Sequence, residues 1–255
     1  MKELYLQCAG GFMRYHDFEG EGTPLVFVHG LGCASSFDYP QVALNPALRG
    51  RRMLLCDLIG SGYSDKPQEF EYSVSAHARC LAEFTDKLNL DKIILFGHSL
   101  GGAVALELYK NHPQKIERLI LTESNLDGGG GSTSRAIARY TLNEFEEKGC
   151  AEILRSAQKH GNTLWAASLA VTLPRAAWLI SQSAIQGGVP AWRDILYNAN
   201  CPKTYIYGEK SLPDKNEPLI KQHRVHIEVV PGAGHSMAWE NPAGLAQCIY
   251  KGICL

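Results

Sequence analysis

The feature that most constrains this chain is a serine framed by glycines, Gly97-His98-Ser99-Leu100-Gly101-Gly102. It sits between two patterns that cannot belong to one element. Ile93-Ile94-Leu95-Phe96 before it is a short apolar run of buried-strand type, and Ala103-Val104-Ala105-Leu106-Glu107-Leu108 after it is helical. A chain that passes from strand to helix in so few residues must turn sharply. Glycines two positions either side of Ser99 let strand and helix nearly touch, whereas bulkier residues would block the turn. The serine is then expected in a strained backbone conformation. Its hydroxyl stands exposed at the strand's C-terminal end, above a helix N-terminus that favours negative charge.

A serine hydroxyl is a poor nucleophile at neutral pH and needs a base. Of nine histidines, His235 is the best placed. It ends Pro231-Gly232-Ala233-Gly234-His235, a glycine-rich loop after the last strand run and before Asn241-Pro242, which reads as a helix start. The chain order serine, then histidine, fits this type of site. A tetrahedral intermediate also needs two N–H donors for its oxyanion. The N–H of Leu100, next after the nucleophile, is one. The loop His29-Gly30-Leu31-Gly32 supplies the other, assigned to Leu31, because its small residues let backbone approach a substrate oxygen. His98 and His29 are expected to hold loop backbone.

The same rhythm extends along the chain. Leu25–Val28, Met53–Cys56, Ile93–Phe96, Leu119–Leu121, Thr204–Tyr207 and Val225–Val230 are apolar runs, most separated by helix-length spacers. They imply a mainly parallel sheet in an α/β fold, with helices on both faces. Glu3–Gln7 and Phe12–Phe18 read as an antiparallel hairpin turning at Gly10-Gly11. From Asn125 to Asn198 no strand run occurs, far more than the roughly 2–6 residues of an ordinary loop between helix and strand. This segment opens on Gly128-Gly129-Gly130-Gly131, the most permissive backbone in the chain and an expected hinge. It then reads as helices over Ser134–Lys148, Ala151–His160, Asn162–Leu173 and Arg175–Gln186. Residues 1–124 and 199–255 are thus expected to form the core and 125–198 a helical cap. Trp165, Trp178 and Trp192 fall in that insert; Trp165 and Trp178 are candidate substrate contacts, and core packing is the alternative.

Composition narrows the function classes. The 25 Lys+Arg nearly balance the 26 Asp+Glu, which leaves no positive excess for nucleic acid. The longest apolar stretch, Leu164–Leu173, is interrupted by Ser168 and Thr172 and is too short for a membrane span. No signal peptide is read at the N-terminus, so a cytoplasmic protein is expected. The eight cysteines contain no Cys-x-x-Cys and are read as mostly reduced packing residues, with no metal site. Gly30-Leu31-Gly32 followed by Asp57 has the outline of a dinucleotide fingerprint. The third glycine is missing, since position 35 is serine, and Asp57 comes too late.

Together, His29-Gly30-Leu31-Gly32, Asp57-Leu58-Ile59-Gly60-Ser61-Gly62-Tyr63-Ser64-Asp65-Lys66-Pro67, Gly97–Gly102 and Gly232-Ala233-Gly234-His235 resemble the α/β-hydrolase superfamily, in order and spacing over nearly the whole chain. The resemblance implies an eight-stranded sheet, no cofactor, and a triad of nucleophile, acid and histidine. Members that are epoxide hydrolases or haloalkane dehalogenases resemble one another in using an aspartate nucleophile, and Ser99 argues against both. One departure matters. Many relatives carry the acid three residues after the glycine that ends the strand matching Thr204–Gly208, and here that position is Ser211. Glu123, directly after Leu119–Leu121, is the preferred acid, since some relatives are similar in taking it from this strand end. Asp214 is the rival and Glu209 a third candidate.

The expected activity is that of a serine hydrolase acting through an acyl-enzyme on a small, largely apolar carboxylic ester. Thioesters, lactones and carbon–carbon bonds call for the same parts. A receptor that keeps the fold and senses a small molecule with little turnover is the alternative from another class.

Overall fold

The structure, a computed structural model, describes all 255 residues. Eight strands form one sheet: β1 (Lys2–Leu6), β2 (Gly11–Phe18), β3 (Glu21–Val28), β4 (Arg51–Cys56), β5 (Ile93–His98), β6 (Ile116–Thr122), β7 (Lys203–Gly208) and β8 (His226–Val230). Their order is β1-β2-β4-β3-β5-β6-β7-β8. β2 runs antiparallel to both β1 and β4, and every other pairing is parallel. The expected hairpin is present, with Leu6 opposite Gly11, and Gly10 takes the positive φ of 64° that the turn demands.

The inner parallel strands β3, β4, β5 and β6 carry apolar residues on both sides because both sides are covered, whereas the edge strand β8 carries His226 and Glu228. Val26, Val28, Ile93 and Leu95 point into the larger core, under the helices Val74–Lys87 and Leu100–Asn111. Their neighbours Leu25, Phe27, Ile94 and Phe96 point into a second core, under the C-terminal helix Pro242–Cys254. All eight cysteines are free thiols. No single helix is long and apolar enough to cross a membrane.

The strand order positions the site. From β3 the chain goes to β4 on one side, then crosses to β5 on the other. The loops leaving β3 and β5 therefore diverge and open a crevice at the C-terminal ends of adjacent strands, where open α/β sheets bind ligands. These loops carry His29–Gly32 and Ser99.

Between β6 and β7 the chain is helical, as read from the sequence, but the helices are divided differently. The expected Ser134–Lys148 helix stops at Ile137. Thr141 then starts a new one with a capping box to Glu144, which continues through a π-helical turn over Phe145–Gly149 into Cys150–Lys159. Thr163–Leu169 and Pro174–Gln186 follow, and Trp192–Asn198 is a further helix. Ile137, Phe145, Leu169 and Ala177 form a small core of their own, against which Leu31, Trp165 and Trp178 pack.

Candidate active site

Ser99 lies between β5 and the Leu100–Asn111 helix at φ 52° and ψ −122°, in the left-handed half of backbone space that non-glycine residues rarely enter. The surroundings fix it there. Its N–H donates to the Thr122 carbonyl (2.9 Å), and its own carbonyl accepts from Gly102 (3.0 Å) and Asn125 (3.2 Å). The glycines are needed for space. A Cβ on Gly97 would lie 2.7 Å from the Gly102 Cα, and one on Gly101 would collide with the His29 carbonyl oxygen.

His235 Nδ1 donates to Glu123 Oε2 at 2.8 Å. That bond fixes the tautomer and leaves Nε2 free to accept a proton. Glu123 follows β6 directly, at a positive φ of 40°. Its second oxygen, Oε1, accepts the N–H of Gly208 at the end of β7 (2.9 Å). Burial alone would raise the carboxyl pKa. Hydrogen bonds from His235, Ser211 and Gly208 outweigh it and hold Glu123 below the ordinary glutamate range, so it is ionised at neutral pH. Ser211 thus stands where many relatives carry their acid and serves the acid of the neighbouring strand instead.

Asp214 points elsewhere. Its Oδ1 accepts from the Tyr207 hydroxyl (3.2 Å) and the Asn216 N–H (2.8 Å). Glu209 accepts from the Gly232 N–H at 2.7 Å, at the base of the histidine loop. Of the three carboxylates considered from the sequence, only Glu123 bonds the His235 ring.

The two histidines expected to hold backbone do so. His98 Nε2 donates to the His235 carbonyl at 2.9 Å. Desolvation, then the adjacent His235, push its pKa to about 3, so it is neutral when it does this. His29 is buried, which lowers its pKa. Its Nε2 accepts the Leu58 N–H (3.0 Å), which leaves Nδ1–H to donate to the Gly30 carbonyl (2.9 Å). Cys33 N–H reaches the same carbonyl at 3.2 Å. In a trans peptide the N–H points opposite the C=O, so these bonds aim the Leu31 N–H. The Ser99 carbonyl, held twice, aims the Leu100 N–H in the same way. Neither N–H donates in any turn or loop hydrogen bond. Both are available to an oxyanion.

Ser99, Glu123, His235, Leu31, Leu100 and Trp165 line one cavity of about 490 Å³. The three tryptophans of the insert separate here. Trp165 reaches the site, and its indole N–H donates to the Leu31 carbonyl at 2.9 Å. Trp178 is not on the wall of that cavity. It packs against the insert's own core and donates to the Tyr140 carbonyl at 2.8 Å, the core-packing alternative given for it above. Trp192 is buried in the main core, bonded to Glu107 at 3.1 Å. No group of three or more His, Cys, Asp or Glu side chains is placed to hold a metal ion.

Residues 23–242 match the family model described as alpha/beta hydrolase fold. A 2-hydroxy-6-oxo-2,4-heptadienoate hydrolase of Pseudomonas putida is 36% identical over 115 residues, which is 44% of this chain and 41% of that protein. An uncharacterized protein of Mycobacterium tuberculosis is 33% identical over 121 residues, 48% of this chain and 35% of that one. The matches thus span less than half the length of these relatives. A thermophilic esterase from Thermogutta terrifontis superposes with a TM-score of 0.83 at 20% identity, covering 100% of this chain and 98% of that one. An N-acyl homoserine lactonase complexed with N-hexanoyl homoserine gives 0.78 at 21%, covering 99% and 95%. At such identities the superpositions speak for the fold.

Proposed function

Since the chain belongs to the alpha/beta hydrolase fold family, we propose that it is a serine hydrolase of small, largely apolar carboxylic esters, with Ser99, His235 and Glu123 as its triad. The observation that carries this reading is the 2.8 Å bond from His235 Nδ1 to Glu123 Oε2, on the wall of the cavity that Ser99 also lines.

His235 Nε2 takes the hydroxyl proton as Ser99 Oγ adds to the ester carbonyl. The carbonyl oxygen becomes an oxyanion between the Leu31 and Leu100 N–H groups. Glu123 stabilises the imidazolium across Nδ1. The tetrahedral adduct collapses, the C–O bond to the alcohol breaks, and His235 gives its proton to the departing oxygen. Water then adds to the acyl-enzyme with His235 again as base, and the acid leaves Ser99. The cycle needs no added oxidant, metal or cofactor.

The 125–198 insert acts as the cap. Trp165 ties it to the Leu31 loop through the Leu31 carbonyl, one peptide beyond the oxyanion N–H, and so steadies the loop that carries that donor. A second reading has one observation in its favour: the relative from Pseudomonas putida, matched over part of its length, is named a 2-hydroxy-6-oxo-2,4-heptadienoate hydrolase, and a substrate of that name has no ester linkage, so its hydrolysis breaks a carbon–carbon bond. Both readings are separated by one panel of p-nitrophenyl esters, thioesters, lactones and vinylogous diketones of graded chain length, with EDTA present. Steady turnover of the esters with an unchanged rate in EDTA supports the ester reading. Turnover confined to the diketones moves the assignment. A single stoichiometric burst indicates a receptor.

A further inference from the structure

A second chamber of about 430 Å³ adjoins the Ser99 cavity. The two share Cys33, His98, Asn162, Trp165 and Ser236 as common walls. This chamber reaches the C-terminal helix at Leu245, and its apolar wall also includes Phe96 and Met237. His160, Asn162, Thr163 and Glu240 are exposed polar residues of its lining, and its buried wall carries one further set of polar groups. Asp38 lies in the wall at 5% exposure, and its Oδ1 accepts from the Trp239 indole N–H at 3.1 Å. The Cys33 thiol also bonds it. Tyr39 and Thr122, 1% and 0% exposed, line the same chamber, and both of their hydroxyls lack a partner within the protein.

Buried polar groups are normally paired, and unpaired ones are costly. None of these groups takes part in the proposed triad or oxyanion donors. We propose that this chamber receives the non-reacting arm of the substrate and selects an arm that ends in a hydroxyl. The donor inventory favours hydroxyl over other polar ends. A hydroxyl can donate to Asp38 and also accept from Tyr39 or Thr122, whereas an ammonium only donates and a carboxylate would face Asp38 with like charge. The apolar walls accommodate the alkyl stem that carries it. Burial, the main cause, pushes the Asp38 carboxyl to about 7, which agrees with a neutral partner rather than a charged one.

This inference rests on the hydrolase reading for which bond is cleaved, but it is tested separately, as binding to Ser99→Ala. That variant holds intact esters without an acyl-transfer step. Two ester series of four to ten carbons are compared by calorimetry, each with a methyl-ended and an ω-hydroxy-ended member at every length. One series varies the acyl arm of methyl esters and the other varies the alcohol arm of acetates. In one of the two series, the hydroxyl end should bind at least about tenfold tighter at its best length. Asp38→Leu should reverse that preference. Tyr39→Phe, which removes only an unpartnered hydroxyl, should reduce it severalfold without lowering Tm. Equal or weaker binding of the hydroxyl-ended esters at every length in both series overturns the proposal, as does a preference that survives Asp38→Leu. If the unsubstituted protein turns over no ester while Ser99→Ala still discriminates, the hydrolase reading fails and the chamber assignment stands.

Discussion

Ser99 and Glu123 share a backbone oddity, since neither is glycine and both sit at positive φ, 52° and 40°. Such positions cost on the order of 1–3 kcal/mol each and persist where the surroundings fix them. Here the two are neighbours across paired strands: Ser99 N–H bonds the carbonyl of Thr122, the residue before Glu123. The strain at one therefore supports the geometry of the other. Glu123→Gln should leave the fold intact and lower kcat by roughly 10⁴, as the amide can present a donor where the imidazole needs an acceptor. Asp214→Asn should have little effect on kcat, because its carboxylate serves Tyr207 and Asn216. Steady-state kinetics of the pair decide this, and the reverse pattern would transfer the acid role to Asp214. Ser99, His235 and Glu123 were legible because each follows an apolar strand run in a recognisable loop. Ser211 was legible only as a missing aspartate. Asp38 left no signal at all, since one acid in a short helix after a loop reads as surface. It is buried, and its indole partner Trp239 lies far away in the sequence.

Among the elements, the strands were read closely and the helices of the insert were not. An inner strand of this sheet is buried on both faces, so its apolar run stands out against polar loops. The insert's helices are amphipathic and short, and the periodic pattern runs on across their breaks. The break before Thr141 does carry a local signal, Thr141-Leu142-Asn143-Glu144, which is a capping box. Trp192–Asn198 was missed because it is a helix of only seven residues, too short to show a period, just after Pro190. Two tryptophans of the insert have separable roles. Trp165→Phe keeps the ring but removes the N–H to the Leu31 carbonyl, so kcat should fall about fivefold to tenfold with little change in Tm, as expected for a bond worth about 1 kcal/mol. Trp178→Ala should lower Tm by several degrees and leave substrate preference alone, since it fills the insert's own core. A changed preference in Trp178→Ala, or none of these effects in Trp165→Phe, would contradict this division. Gly101→Ala tests the turn itself: a Cβ there meets backbone on both Val28 and His29, and the variant should be unfolded or inactive.

For the whole molecule, the two cores on either side of the sheet hold histidines out of water. His77 is 2% exposed with an unpaired Nδ1, and burial, then His29, push its pKa to about 3. An unfolded histidine takes up its proton near 6.5. Between pH 6.5 and about 3 the unfolded chain therefore binds a proton that the native protein refuses, and stability falls as pH falls through that window. By pH 5 His77 alone removes about 2 kcal/mol. Urea midpoints at pH 7.5 and 5.0 should show this loss, and His77→Phe should reduce the difference; an equal slope in the variant would contradict it. The central claim is that Ser99 is the nucleophile activated by His235. Its most direct measurement is peptide mass mapping after treatment with a fluorophosphonate. The account predicts stoichiometric addition on Ser99, none in Ser99→Ala, and much slower addition in His235→Ala. Addition at another residue, or full ester turnover by Ser99→Ala, would contradict it.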